Sequence, residues 1–150
     1  MANAVKWQEA SSVKSTTLEA SGAALSDNTI VEANDSAYDG GTNLDQWGWL
    51  ELVGTWGTAP DDVAPSVDVY ITQAPDGTNY SSAPVTGGVD CGDQLLAIIP
   101  IRKVTSAQRK VTDMFRLPSH LTKFYIDNQT GQSLGSTWAL KLFRNNDEIQ

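Results

Sequence analysis

The 150-residue chain has one cysteine, one histidine and only ten Lys and Arg against 18 Asp and Glu. A single cysteine forms no internal disulfide, so no disulfide framework holds the fold. One cysteine and one histidine cannot build a Cys/His zinc site. The shortage of basic residues leaves a net charge of −8. That balance argues against binding nucleic acid directly through its phosphates, which takes a basic patch. Long apolar runs are missing too. The longest, residues 95–101, is far too short to span a bilayer, so no membrane partner is expected. No basic stretch followed by an apolar one opens the chain, so it is expected to be made in a cytoplasm.

What is present is unevenly spread. Residues 1–99 carry two basic and 14 acidic residues, a balance of −12, and residues 100–150 carry eight and four, a balance of +4. The two halves can attract each other within one domain, or a basic face can meet a neighbour's acidic one. Hydrophobic residues make up 40% of the chain, enough for one core of ordinary size.

The punctuation is that of an all-β protein. Clusters of Gly, Pro, Asn and Asp separate short runs rich in β-branched and aromatic residues. These runs predict strands over 25–32, 46–56, 66–73, 94–104, 109–117, 123–128 and 138–144. Val67, Val69 and Ile71 alternate with Asp68, Tyr70 and Thr72, and Leu50 and Leu52 alternate with Trp49, Glu51 and Val53. Such a period of two buries one face of an antiparallel sheet and wets the other. The run 95–101 is apolar on both faces. It is expected as a central strand, with Pro100 forcing a bulge or an edge position. About seven to eight strands make an antiparallel β-sandwich or jelly roll, residues 25–150, more natural than a closed barrel.

Residues 1–24 are rich in Ala, Ser and Thr around isolated Val5, Trp7, Val13 and Leu18. They are expected to form an extended N-terminal arm, with one strand near 13–18. Val5, Trp7, Val13 and Leu18 are its candidate partner-binding residues, with Trp7 the natural docking anchor.

Chemistry-bearing patterns are weak. Asp35, Asp39 and Gly40 fit part of a calcium loop, but Ala37 and Gln46 stand where ligands belong, so an acidic turn is preferred. Glu51 lies mid-strand among aromatics, where a glycosidase of this architecture would place a carboxylate, but no second strand-borne Glu accompanies it. Asp68 or Asp113 would have to serve. His120 sits in a Pro-Ser-His-Leu turn, and Cys91 has acidic neighbours that suppress its thiolate. No nucleotide-binding glycine pattern occurs. Neither an enzyme nor a cofactor or metal is expected. Trp56 and Trp138 suit the core. Trp47 and Trp49 suit either the core or a ligand platform, which makes a carbohydrate-binding module, virion-borne or free, the competing reading.

The strand and turn residues resemble a known group. Their order is Leu25-Ser26-Asp27, Tyr38-Asp39, Leu50-Glu51-Leu52, Val67-Asp68-Val69-Tyr70, Asp76-Gly77-Thr78-Asn79-Tyr80, Phe115-Arg116-Leu117-Pro118 and 123–131. Over about residues 25–145 the chain is similar to the jelly-roll decoration, or cement, proteins of tailed-bacteriophage capsids. The resemblance implies a non-enzymatic virion protein, made in the host cytoplasm. It would sit on the capsid surface, bind the major capsid protein and form homo-oligomers, trimers above all. A place in the neck or tail is the nearest variant.

Overall fold

A computed structural model describes residues 14–43, 45–84 and 95–145. Among these residues, ten strands and one short helix make two antiparallel sheets packed face to face. The strands are β1 (Lys14–Gly22), β2 (Thr29–Glu32), β3 (Tyr38–Asp39), β4 (Trp47–Gly54), β5 (Ser66–Ala74), β6 (Leu95–Pro100), β7 (Gln108–Val111), β8 (Phe115–Arg116), β9 (Leu121–Gln129) and β10 (Trp138–Asn145). The first sheet runs β1-β10-β4-β7, with β8 continuing beyond β7 along β4. The second runs β2-β9-β5-β6, with β3 continuing beyond β2 along β9. With β2/β3 and β7/β8 each filling one place, eight positions remain, ordered 1-8-3-6 against 2-7-4-5. This is the jelly-roll order of an all-β sandwich.

Period-two patterning builds the core. Leu50 and Leu52 of β4, Val67 and Val69 of β5, Phe124 and Ile126 of β9, and Leu140 and Leu142 of β10 all point between the sheets and are essentially inaccessible. Trp56 and Trp138 join them, each with its indole N–H satisfied. Trp56 Nε1 donates to Thr130 Oγ1 at 3.0 Å, and Trp138 Nε1 donates to the Ala23 carbonyl at 2.7 Å. Buried Asn128 ties the loop after β9 together, donating to the carbonyls of Leu25 and Gln132.

Three expectations are corrected. The body begins at Lys14, within the stretch read as an arm: β1 pairs with β10 from Lys14↔Arg144 to Gly22↔Trp138. Leu18, read as a partner-binding residue, is fully buried in the chain's own core, because β1 turns it inward between the sheets. Val5, Trp7 and Val13 lie outside the described residues. The apolar run expected as a central strand is β6, which among the described residues pairs only with β5 and so lies at a sheet edge. Proline at its last position fits an edge, since it has no N–H for a further neighbour.

Smaller differences have local causes. The segment 109–117 breaks into β7 and β8, and residues 40–43 form a one-turn helix, α1 (Gly40–Asn43). Asp39 caps this turn, accepting from the Thr42 N–H at 3.1 Å and the Thr42 hydroxyl at 2.6 Å. These bonds hold its carboxyl below the usual range. The Asp-Gly-Thr-Asn turn after β5 works in the same way. Asp76 Oδ1 accepts the N–H groups of Thr78 and Asn79, Gly77 takes a φ of 75°, and the carboxyl is drawn down to about 2.

Candidate interaction surface

The two long edges of the sandwich differ. At one edge, β1 of the first sheet is sewn to the segment after β2 of the second. The Asp35 N–H donates to the Leu18 carbonyl at 2.9 Å, Asp35 Oδ2 accepts the Ala20 N–H at 2.5 Å, and Glu19 Oε2 accepts the Asn34 N–H at 3.3 Å. At the other edge, β6 faces β7 and β8. Among the described residues no backbone hydrogen bond joins them. Their link is the connecting loop, where the buried Gln108 side chain both donates to and accepts from the Arg102 backbone at 2.9 Å.

Below that latch the sheets gape. A cleft of about 470 Å³ is lined by Leu96, Ala97, Ile98 and Pro100 from β6, and by residues 111–115 on the opposite lip. Its rim is apolar and exposed: Ile98 at 58%, Val111 at 55% and Met114 at 61%. Asp113 adds one charge to the lip. Large apolar side chains on adjoining edge strands are what an interaction surface needs, and an uncovered strand edge is a liability when left alone.

The outer face of the first sheet continues from this lip. Val111 stands opposite Glu51, and Trp49 lies two residues along β4 on the same face. Trp49 pairs across the sheet with Phe143, their rings stacked with centroids 5.9 Å apart and planes 10° from parallel. Trp47 lies opposite Asn145 on one side and Arg116 on the other. Trp47 and Trp49 are both partly exposed, so both are on a surface platform outside the core. Glu51 is buried although it faces outward, because the Arg109 guanidinium covers it and forms an ion pair with it; Lys141 sits opposite. Asp68 lies on the outer face of the other sheet and Asp113 on the cleft lip, so neither shares a cleft with Glu51.

The remaining candidates are structural in what they touch. The His120 carbonyl accepts from the Gly40 N–H and the Thr122 hydroxyl. Asp35 and Asp39 spend their carboxylates on backbone N–H groups. Cys91 lies outside the described residues. Sequence reasoning missed the cleft because it depends on which strands end up at the same edge. The signal available was the doubly apolar run 95–101 beside Met114 in an otherwise polar turn. Comparison with protein-family models, with curated proteins and with solved structures returned no match.

Proposed function

We propose that the chain is a non-enzymatic structural protein of a tailed-phage virion that binds the capsid exterior and clamps neighbouring copies of the major capsid protein. The observation that carries this reading is the open edge, where Ile98, Val111 and Met114 stand exposed on the rim of a cleft beside the side of β6 that has no strand partner among the described residues. An extended segment of the capsid protein laid along β6 would gain main-chain hydrogen bonds and bury this rim. The resemblance in strand and turn residues supplies the class of partner and the preference for trimers. Val5, Trp7 and Val13 would add contacts to a neighbour, and several weak attachments per oligomer become collectively tight. A neck or tail position would use the same surface.

Mixing the full chain with undecorated heads tests the reading. Stoichiometric co-sedimentation is expected, with loss on Ile98→Asp and Met114→Asp. Protein that stays in the supernatant overturns it.

A second reading, a carbohydrate-binding module, is favoured by the partly exposed Trp49–Phe143 stack with Trp47 beside it. Aromatic faces on a sheet, flanked by polar groups, suit sugar rings. Tryptophan fluorescence titrated with a glycan panel separates the two. A saturable response lost in Trp49→Ala supports the module, and a flat response removes it.

A further inference from the structure

The outer face of the second sheet carries two carboxylates directly opposite one another. Asp68 of β5 and Asp127 of β9 are register partners in neighbouring antiparallel strands. Like charges in this position repel and cost stability. Aliphatic residues flank them in the same row, Ile98 on β6 and Ile30 on β2. Neither carboxylate has an ion pair among the described residues. The cation on this face, Lys123, is four residues along β9 from Asp127 and is held by Glu32 at 2.9 Å.

Hydrogen bonds account for part of the pair. Ser66 Oγ donates to Asp68 Oδ1 at 2.8 Å, and Gln129 Nε2 donates to Asp127 Oδ2 at 2.7 Å. Asp127 Oδ1 has no donor, although the residue is only 6% exposed. A buried carboxylate oxygen without a partner carries a desolvation cost that no donor among the described residues offsets. Burial pushes both carboxyls above their usual range. Asp127 adds to this at Asp68, and Asp27 adds to it at Asp127, against the single bonds from Ser66 and Gln129.

We propose that Asp68 and Asp127 form a divalent-cation site, with calcium as its natural occupant. Oxygen-only donors on two strands suit a hard cation that tolerates irregular geometry. Bound there, the ion would turn cross-strand repulsion into a bridge between β5 and β9, the central strands of that sheet, and would occupy the orphaned Oδ1. The described residues hold no group of three or more His, Cys, Asp or Glu that could bind a metal, so the protein supplies two carboxylates and water would have to fill the remaining positions. Two carboxylates and water place the affinity in the weak class, about 10⁻⁴–10⁻³ M. The inference is independent of what the open edge binds.

Thermal melting of the full chain at pH 7.5 tests the site, comparing calcium chloride with sodium chloride at equal ionic strength. About 10 mM calcium is expected to raise Tm by roughly 3–10 °C. Asp68→Asn and Asp127→Asn should each melt higher than the parent without calcium, because the repulsion is gone, and should not respond to it. Terbium gives a second readout, since Tyr70 and Tyr125 face each other one step along the same strands and can sensitise its luminescence. The signal should appear in the parent, fall on adding calcium and be absent in both variants. No calcium effect beyond matched sodium chloride overturns the proposal, as does a response that survives in Asp127→Asn. Stabilisation by lowering the pH alone, without any calcium effect, would show a shared proton in place of the ion and also overturns it.

Discussion

The two edges of the sandwich are built from similar materials and finished differently. At the β1 edge, backbone and carboxylate hydrogen bonds from Leu18, Glu19, Ala20 and Asp35 join the sheets, and Leu18 and Tyr38 fill the space between them. At the β6 edge the described residues show no backbone hydrogen bond between the sheets, the Gln108–Arg102 latch ties the connecting loop, and Ile98, Val111 and Met114 stand exposed around the gap. One edge is completed within the chain. Among the described residues, the other leaves apolar area and one side of a strand uncovered. An edge with Ile98, Val111 and Met114 exposed on its rim is the surface that the proposed docking would use.

Mutations at the two edges should therefore differ in kind. The largest effect belongs to Leu18→Ala, which removes a fully buried side chain and should cost about 2–5 kcal/mol in denaturant unfolding. A cost under ~1 kcal/mol would show that the β1 edge is not part of the core. For the same reason, truncation through residue 20 should destabilise the body, because it removes most of β1. Next comes Asp35→Ala, which strips the acceptor from the Ala20 N–H and should cost about 1 kcal/mol. An unchanged midpoint would mean that strand pairing alone closes this edge.

Tyr38 gives a pH test of the closed edge. Burial pushes its hydroxyl up to about 12, with the Asp45 carboxylate adding and the Arg144 guanidinium opposing. The folded value lies above the unfolded one, near 10. The unfolded chain therefore ionises first, and stability present below pH 10 should fall as the pH rises from about 10 to about 12. Tyr38→Phe should flatten that part of the profile; an unchanged alkaline slope would remove Tyr38 as its source. The smallest effect on stability is expected at the open edge. Ile98→Gln and Met114→Asp should stay within about 0.5 kcal/mol of the parent, since both side chains are mostly exposed. If either costs as much as Leu18→Ala, the cleft is part of the core and the contrast between the edges collapses.

Much of the architecture was legible in the sequence because it is written with a period of two. The alternations gave Leu50, Leu52, Val67 and Val69 correctly as the inward face, while Glu51 and Thr72, read on the wet face, are buried by neighbours on the outer face, and the turn residues gave the breaks. Trp56 and Trp138 were readable as core. What the sequence hid depends on partners far away in the chain. Leu18 looked like an isolated apolar residue in a polar arm; its burial comes from β10, more than a hundred residues later. The run 95–101 looked central because it is apolar on both faces, yet one face lines the core and the other the cleft rim. The Asp68–Asp127 pairing was equally invisible, since each residue alone occupies an ordinary wet position on an alternating strand. Register brings them together.

Amide hydrogen exchange of the full chain, free and bound to undecorated heads, tests the open edge as the docking surface most directly. Binding should slow exchange along β6 and along residues 108–116, and leave β1 and residues 33–35 as they are in the free protein. Protection confined to the β1 edge, or to the Trp49–Phe143 face with β6 unchanged, would contradict it.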